Sequence, residues 1–342
     1  MKLLVLGEGE VRRLLPYGEC AEAMRGALAA LARGQVYQPL RTIIKPLRAD
    51  GMMALMPAYL AAGDAAAEAA GHSSDTPNAA YGLKAICIFP GNPAAGLDSH
   101  QGIVLLSSAQ TGEPLAVLNA SAVTEIRTAA VSSVATDLLA RADATELAII
   151  GTGVQARAHL LAISAARPLT GIRVAGRDPA KARRFAGDLR DQHAAPVTAC
   201  ESAADAVAGA GIVVTATSSA EPVLRREWLA PGAHINAVGA CLPHMRELDT
   251  ETMTAAAVFT DRRESVLNEA GDYVLAQTEG AVGPEHIRAE LGELLIGAAP
   301  GRASDTEITV FESLGLAVED LAAAALAYRR AAELGAGTWV EF

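Results

Sequence analysis

Short hydrophobic runs in the first third of the chain are interrupted by turn residues, and one longer run has a helical pattern. The longer run, at about 17–33, begins near Pro16 and stops at Gly34, which are typical limits of a helix. Turn sequences at Pro90–Pro93 and Gln110–Glu113 separate the short runs. These runs predict strands at 41–46, 51–57, 81–89, 101–108 and 114–118. We therefore expect the N-terminal third to be α+β with an antiparallel sheet.

Strands and helices alternate after Asn119. Residues 121–141 have the pattern of a helix, and the hydrophobic runs that follow predict strands at 146–150, 171–176, 196–199, 211–216, 233–238 and 256–260. Such alternation is typical of a parallel, doubly wound sheet. The last stretch, 307–342, is predicted to hold a strand, a turn at Gly315 and a helix that could pack on the N-terminal domain.

Composition and charge narrow the classes of protein to which the chain can belong. Hydrophobic residues make up 51% of the chain and charged residues 20%, which is typical of a globular protein. The formal net charge of −11 disfavours binding to nucleic acid or to an anionic membrane surface. The N-terminus is predicted to be a strand followed by a helix rather than a signal peptide. No apolar run is long enough to predict a membrane span.

The cysteines and one unusual segment add two expectations. The four cysteines are far apart and form no CxxC pair, so neither a disulfide framework nor a zinc site is indicated. A reducing, cytoplasmic compartment is the simplest expectation. Residues 61–80 are rich in Ala, Ser and Gly and are predicted to be a loop or insertion that could be mobile.

A glycine motif, Gly151-Thr-Gly153-Val-Gln-Ala156, lies directly after the apolar run 146–150 and directly before a predicted helix. In this GxGxxA pattern the first glycine permits a tight turn, and the second lets a pyrophosphate approach the backbone. The alanine lets helix and strand pack closely, and the N-terminus of the helix faces the phosphates. We therefore predict a Rossmann dinucleotide-binding domain. A glycine-rich turn without a ligand is the alternative.

The end of the second strand, 171–176, indicates which dinucleotide is bound. Folds of this kind that prefer NAD usually carry Asp or Glu there to hold the ribose diol. This chain has Gly176 and then Arg177, and a cation without the acid favours a 2′-phosphate, hence NADP(H). The alternative is that Arg177 is a solvated surface residue. Asp178, before Pro179, is predicted to be the N-cap of the next helix.

Three cations lie in runs that are otherwise apolar or small, namely Arg41, Lys84 and Arg127. A buried Arg or Lys needs an anion to compensate its charge. A substrate carboxylate is one such anion and an internal Asp or Glu is the other, and the residues alone do not decide between them. Ser99-His100-Gln101 is a polar cluster before a predicted strand. His100 on its own is more often structural than catalytic.

The chain resembles the ornithine cyclodeaminase/mu-crystallin family over nearly its whole length, apart from the insertion-like residues 63–80. The matching segments are Gln38–Arg41, Met56–Tyr59, Gly82–Lys84 with Phe89–Gly91, Leu115–Leu118, Thr124–Thr128, Gly151–Ala156, Ile235–Ala240, Val310–Ala317 and Glu319–Leu321. Their order and spacing make the match specific. The resemblance implies a two-domain homodimer, with a substrate-binding and dimerisation domain (1–120 plus 310–342) and a Rossmann domain (121–309).

The resemblance also implies roles for individual residues. In such proteins the residues that match Arg41, Lys84 and Arg127 meet the substrate carboxylate and the reacting nitrogen, so these three are the expected catalytic and substrate-binding residues. The expected cofactor-binding residues are Thr128, Gly151, Gly153, Val154, Gln155, Arg177, Thr217, Val238 and, near the nicotinamide side, His100.

One departure separates this chain from the cyclodeaminases of the family. They carry an Asp shortly after the Asn-Ala-Val-Gly stretch, and Cys241 occupies that position here. No carboxylate lies between Gly239 and Arg246, while Glu247 and Asp249 are predicted to begin the next helix. Cys241 is expected to be a small neutral wall residue. A nucleophilic or redox role is the alternative, and no base or second cysteine that would activate the thiol is evident nearby. The Pro-x-x-Arg-Glu-Leu ending of this segment resembles the mu-crystallin/ketimine reductase branch.

The sequence thus favours an NADPH-dependent reductase of an imine derived from an amino acid. Δ1-pyrroline-2-carboxylate and Δ1-piperideine-2-carboxylate are the leading substrates, and NADH is the second cofactor considered. Three alternatives stay open: an ornithine cyclodeaminase that uses NAD catalytically, an alanine-dehydrogenase-like enzyme, and a non-enzymatic binder of NADPH or a small ligand. No metal, nucleic acid or membrane partner is expected.

Overall fold

The computed structural model describes residues 2–61, 79–190 and 192–342, and it has the α/β architecture that the sequence predicts. The chain forms two compact units, Met1–Arg127 with Gly315–Phe342, and Thr128–Leu314. The predicted loop at 61–80 lies outside the described residues from 62 to 78. Within the described ranges, no helix is long and apolar enough to cross a membrane.

The strands are β1 (Lys2–Leu6), β2 (Val36–Tyr37), β3 (Thr42–Ile44), β4 (Met52–Leu60), β5 (Ala80–Ile88), β6 (His100–Ser108), β7 (Pro114–Asn119), β8 (Glu146–Ile150), β9 (Gly171–Ala175), β10 (Val197–Ala199), β11 (Ile212–Thr215), β12 (His234–Ala237), β13 (Ala257–Thr260), β14 (Ile287–Glu290), β15 (Thr309–Glu312) and β16 (Thr338–Glu341). The α-helices are α1 (Glu8–Leu14), α2 (Tyr17–Ala32), α3 (Ala120–Leu139), α4 (Val154–Ala166), α5 (Pro179–Leu189), α6 (Ala203–Val207), α7 (Thr250–Ala255), α8 (Arg263–Glu269), α9 (Gly271–Thr278), α10 (Leu291–Leu295) and α11 (Ala317–Leu334).

The first unit is built on a sheet with the strand order β16-β1-β7-β6-β5-β4-β2, and β3 pairs with β4. Strands β4 to β7 are antiparallel neighbours, as predicted. Strand β1, however, pairs with β7 in parallel. The expectation of an antiparallel sheet is wrong at this pair, because helices rather than a hairpin follow β1 and such a crossover permits parallel pairing.

Side chains alternate between the two faces of this sheet. On β5 and β6 the buried residues are even-numbered, among them Ile86 and Val104, and α11 packs against these strands. The packing is close at Gly82, where a Cβ would lie 2.8 Å from the Leu321 side chain. The predicted packing of the C-terminal helix on the first domain is confirmed.

The second unit contains a parallel sheet with the order β10-β9-β8-β11-β12-β15-β13-β14, so the predicted doubly wound sheet is confirmed. The strand order reverses between β8 and β11, which is the switch point where ligands bind in such folds. The register places Ile150, Thr215 and Ala237 side by side. The residues that follow β8, β11 and β12 therefore meet at one edge of the sheet.

Candidate active site

Lys84 and Arg127 are buried in the first unit and share one carboxylate. Lys84 lies in the middle of β5, and Arg127 lies on α3. The Lys84 Nζ is 2.7 Å from Asp320 Oδ2, and the Arg127 Nε–H donates to Asp320 Oδ1 at 3.0 Å. Arg127 also donates from Nη1 to Glu319 Oε2 at 2.8 Å. Asp320, in the first turn of α11, therefore holds the two cations beside each other.

Arg41 directly precedes β3, and its side chain extends towards the turn before α11. Its Nη2 donates to the Gly315 carbonyl at 3.4 Å. Gly315 has a φ of +77°, and a Cβ there would collide with the Arg127 guanidinium, so the position requires glycine. The structure thus brings the three predicted cations, Arg41, Lys84 and Arg127, together around the turn that precedes α11.

Internal carboxylates, one of the two kinds of anion considered from the sequence, compensate Lys84 and Arg127. The sequence pattern assigned no role to Glu319 or Asp320. Their only local signal is a place in the first turn of a helix, where acids are common because of the helix dipole. Together with Arg41, these side chains carry three positive and two negative charges. Guanidinium and ammonium groups gathered in this way are able to bind an anionic ligand.

The surroundings of Lys84 lower its pKa to about 8. Burial is the largest cause, because it disfavours the charged amine. The Asp320 carboxylate opposes this effect, whereas the charges of Arg127 and Arg41 lower the pKa further. An amine with such a pKa is protonated at neutral pH and can still release its proton. Lys84 can therefore donate a hydrogen bond or a proton to a basic atom of a ligand.

His100 begins β6, as expected from its place before a strand, and its Nδ1 is 3.0 Å from Ser99 Oγ. Burial lowers the pKa of His100, and the charges of Lys84 and Arg127 lower it further, while Asp98 opposes them. The neutral imidazole is therefore the main form at neutral pH. The contact of His100 with the nicotinamide side of a cofactor stays a prediction.

The glycine motif of the second unit has the geometry that its sequence requires. Gly151 has a φ of +128°, and a Cβ on it would collide with the Ala216 carbonyl. Gly153 is the N-cap of α4, and a Cβ there would meet no described atom within 4 Å. The described residues thus give no packing reason for Gly153, whereas a phosphate at the helix N-terminus does. Ala156 is fully buried, as close packing of helix and strand requires.

Other predicted cofactor residues also fit a dinucleotide. Val154, in the first turn of α4, is 56% exposed, and the half-buried Gln155 follows it. The buried Oγ1 of Thr128 on α3 has no hydrogen-bond partner in the part of the chain that the structure describes. Three further residues follow strands at the carboxyl edge of the sheet: Arg177 after β9, Thr217 after β11 and Val238 after β12. Their contacts with a cofactor stay predictions.

Arg177 is exposed directly after β9. A Cβ at the preceding Gly176 would lie 3.1 Å from the Thr152 side chain, which places this turn against the glycine motif. Asp178 accepts the N–H groups of Ala180 and Lys181 at 2.9 and 3.4 Å. Its predicted role as the N-cap of α5 is confirmed.

The segment after β12 contains Glu247, whose position differs from the one that its sequence pattern predicts. Asp249 caps α7 as expected, because its Oδ1 accepts the Thr252 N–H at 2.9 Å. The prediction is wrong for Glu247, which is fully buried and accepts the N–H groups of Thr217 and Gly239 at 2.6 Å each. Buried N–H groups without an acceptor are costly, and this cost explains why the carboxylate lies there rather than at the helix.

Cys241 is half-buried in the same segment, and its N–H donates to the Gly239 carbonyl at 2.9 Å. Glu247 does not take the place of the acid that Cys241 replaces, because backbone N–H groups engage both of its oxygens. The departure from the cyclodeaminases noted in the sequence therefore has no compensation from Glu247.

The sequence profile of the Ornithine cyclodeaminase/mu-crystallin family matches residues 1–335. The chain belongs to this family. The resemblance inferred from individual segments is thereby confirmed, and the matched residues belong to both units.

Relatives within the family share the fold over most of their length. A Mus musculus protein, ketimine reductase mu-crystallin, is 39% identical over 89% of this chain and 90% of its own. The structure of Thermococcus litoralis Δ1-pyrroline-2-carboxylate reductase with NADH and L-proline is 37% identical, covers 98% of this chain and 99% of its own, and has a TM-score of 0.90. An archaeal alanine dehydrogenase dimer with bound NAD is 31% identical, with a TM-score of 0.90 over all of both chains. These likenesses confirm the predicted fold class.

Proposed function

We propose that the protein reduces a cyclic imino acid with NADPH to the corresponding L-amino acid. Δ1-pyrroline-2-carboxylate and Δ1-piperideine-2-carboxylate are the leading substrates. The observation that carries the proposal is the buried pair of Lys84 and Arg127 on Asp320, with Arg41 at the same turn. A proton donor beside two guanidinium groups suits a substrate in which a carboxylate lies next to a basic nitrogen.

At the level of enzyme class the prediction is confirmed. The chain is an oxidoreductase that acts on carbon–nitrogen bonds with a nicotinamide cofactor, as its relatives named ketimine reductase and Δ1-pyrroline-2-carboxylate reductase are. The reduction of a cyclic imino acid in particular and the preference for NADPH are part of our proposal.

Each of the three cations has a task in this reaction. Arg41 and Arg127 hold the substrate carboxylate by charge-assisted hydrogen bonds, which fixes the position of the imine carbon. Lys84 donates a hydrogen bond near the imine nitrogen and helps to keep it polarised as the iminium. The bound nicotinamide supplies the hydride that the imine carbon accepts. Burial of Lys84 and Arg127 strengthens these interactions, because little water competes for them.

NADPH is proposed over NADH because of the residues after β9. Gly176 stands where an acid would hold the ribose diol, and Arg177 is exposed beside it. A guanidinium binds a phosphate by charge-assisted hydrogen bonds, and an uncharged diol offers much less. The two solved relatives hold NADH and NAD, so this part of the proposal rests on the residues of this chain alone.

A cyclodeaminase would need a base beside the δ-ammonium of ornithine. Cys241 occupies the position of the acid, and the nearby carboxylate of Glu247 is held by backbone N–H groups. These observations favour the reductase over the lyase. Two other functions are distinguished by the substrate panel below. One is an activity like that of alanine dehydrogenase, and the other is ligand binding without turnover.

We also propose a homodimer that forms through the open face of the sheet in the first unit. Odd-numbered residues of β4, β5 and β6 point away from α11, and most are apolar: Met53, Leu55, Pro57, Tyr59, Tyr81, Leu83, Ala85, Ile103 and Leu105. Tyr81 and Ile103 are 52% and 46% exposed. A contiguous apolar surface marks an interface, and a second copy offers the same surface by two-fold symmetry. A cytoplasmic location stays an expectation.

A panel of imino and keto acids with NADPH, followed by the nicotinamide absorbance, tests the proposed reaction. We expect oxidation of NADPH with the cyclic imino acids and much slower oxidation with pyruvate plus ammonia. Ornithine with NAD should release little ammonia. Stoichiometric ammonia and proline from ornithine without net NADPH change would establish the lyase. Binding of NADPH without turnover of any substrate would establish a binder.

A further inference from the structure

The carboxylate of Glu247 joins the ends of two neighbouring strands in the second unit. Its Oε1 accepts the Thr217 N–H and its Oε2 accepts the Gly239 N–H, both at 2.6 Å. Thr217 follows β11 and Gly239 follows β12, and these strands are parallel neighbours. Because Glu247 is fully buried, water does not compete for these N–H groups. One side chain therefore fixes the spacing of two turns at the carboxyl edge of the sheet.

This contact is tight on both sides of Glu247. A Cβ on Gly239 would lie 2.6 Å from the Glu247 Cδ, so the glycine lets the carboxylate lie directly on the backbone. On the other side Asp272, in the first turn of α9, accepts the N–H groups of Glu247 and Leu248 on its Oδ1 at 2.7 and 2.8 Å. Helix α9 thus holds Glu247, and Glu247 holds the two turns.

We propose that Glu247 is a positioning residue for the nicotinamide half of the cofactor. The turns that it joins carry Thr217 and Val238, which lie across the switch point from Arg177. A dinucleotide lies across that switch point, so a cofactor with its adenosine towards Arg177 has its nicotinamide half over β11 and β12. The inference rests on the proposed cofactor site. Glu247 keeps the two turns at the separation that the nicotinamide riboside requires.

The hydrogen bonds determine which substitutions this role tolerates. Glu247 uses both oxygens as acceptors, whereas the amide of Glu247→Gln has one acceptor and would set its NH2 group against a backbone N–H donor. Asp272 accepts both of its N–H groups on Oδ1 alone, so Asp272→Asn can keep both hydrogen bonds. Burial and the Glu247 carboxylate also raise the pKa of Asp272 to about 8. A neutral amide therefore resembles the group that is present at neutral pH.

Glu247→Gln and Asp272→Asn are compared in the full chain. The probes are NADPH, which spans the site, and 2′-phospho-ADP, which lacks the nicotinamide riboside. We expect Glu247→Gln to weaken NADPH about tenfold or more, because a buried donor loses its acceptor, while the Kd of the fragment changes by less than about threefold. Asp272→Asn should leave both Kd values within about threefold. If NADH binds more tightly than NADPH, NADH and ADP are the matching pair.

Equal weakening of cofactor and fragment would mean a general structural role and would overturn the inference. Unchanged NADPH binding in Glu247→Gln, or the same selective loss in Asp272→Asn, would overturn it as well. Thermal unfolding is measured beside binding. If Glu247→Gln does not fold, Glu247→Asp is used in its place. The shorter side chain moves both carboxylate oxygens away from the Thr217 and Gly239 N–H groups by the length of one methylene, so the same two Kd values are compared. These binding measurements need no imine, so a failure of this inference can be distinguished from a failure of the proposed reaction.

Discussion

At the scale of single residues, burial and charge act on Lys84 in opposite directions. A buried amine is more easily deprotonated, yet Asp320 lies 2.7 Å away and favours the charged form. The same carboxylate holds Arg127, whose charge favours the neutral amine. The result is a pKa of about 8, close enough to neutral pH for Lys84 to exchange protons during turnover. The ionisation of Lys84 therefore depends on Asp320.

This dependence predicts the pH profile of the reaction. If protonated Lys84 serves the imine nitrogen, kcat/KM falls as the pH rises through about 8. Asp320→Asn removes the carboxylate that favours the charged amine, so this descending limb should move down by about one unit or more. Profiles of kcat/KM between about pH 6 and pH 10 measure the shift.

The control for Asp320→Asn is Glu19→Gln, which removes an exposed carboxylate paired with Arg330 on α11. This control should leave the limb in place. A limb that also stays in place in Asp320→Asn, while the variant keeps its thermal stability, would belong to the nitrogen of the substrate and would contradict the assignment to Lys84.

Arg177 gives a second prediction at this scale. Arg177→Asp should weaken NADPH far more than NADH, because it removes a charge-assisted contact with the 2′-phosphate. The loss is about 1.5–3 kcal/mol, roughly 10- to 150-fold in Kd. Titration of the nicotinamide fluorescence measures both affinities. Arg184→Asp, an equal change of charge at an exposed position on α5, should affect the two cofactors much less. Equal affinity of the unmodified protein for NADPH and NADH would refute the role of Arg177.

At the scale of elements, the sequence predicts those whose pattern is complete within one segment. Helix α2 lies between a proline and a glycine, and strands β8 and β11 are apolar runs at the spacing of a parallel sheet. The glycine motif is predictable because the tight turn, the phosphate contact and the helix packing each require a small residue, and these residues follow one another within a short segment. The three cations are predictable as candidate site residues because charged side chains are rare in segments of apolar and small residues.

The elements and residues that the sequence missed depend on distant partners. Glu247 precedes the N-cap of α7 and has the pattern of a helix start, but the N–H groups of Thr217 and Gly239 decide where its side chain lies. Asp320 likewise has the pattern of an acid in a first turn, and its roles come from Lys84 and Arg127. Strands β14 and β16 contain charged residues and so form no apolar run, and they form along β13 and β1.

The glycines on either side of α11 give a prediction for this helix. Gly315 lies before the helix and Gly335 directly after it, and their φ values are +77° and +60°. Alanine therefore costs about 1–2 kcal/mol of stability at either position. Only at Gly315 would the added Cβ meet the Arg127 guanidinium, since no described atom is within 4 Å at Gly335. We expect Gly315→Ala to cost more stability and to lower kcat/KM about tenfold or more, because Arg127 is displaced.

Urea unfolding and steady-state kinetics on both glycine variants measure these effects. Gly335→Ala is the matched control and should lower the free energy of unfolding while leaving kcat/KM nearly unchanged. Equal losses of kcat/KM in the two variants would mean that the position of Arg127 does not limit the reaction.

At the scale of the whole molecule, the two sheets differ in how they are buried. In the second unit, strands β11, β12, β13 and β15 are buried at every position, as expected when both faces of a parallel sheet are covered. In the first unit only one residue in two is buried along the middle of β5 and β6. The other face is apolar rather than polar. Such a surface is costly to leave in water, and a second copy of the chain would remove the cost.

The open face predicts how a single charge affects assembly. Ile103 lies on this face beside Ala85 of the neighbouring strand, so in a dimer a carboxylate at this position would lose its hydration without gaining a partner. We expect Ile103→Asp to weaken the dimer by about 2 kcal/mol or more, roughly 30-fold in Kd, as measured by sedimentation equilibrium. Leu334→Asp makes the same change at a residue that is 64% exposed near the end of α11, and it should leave the dimer intact. A chain that is already monomeric at micromolar concentration, or a dimer that Ile103→Asp leaves unchanged, would contradict the proposed interface.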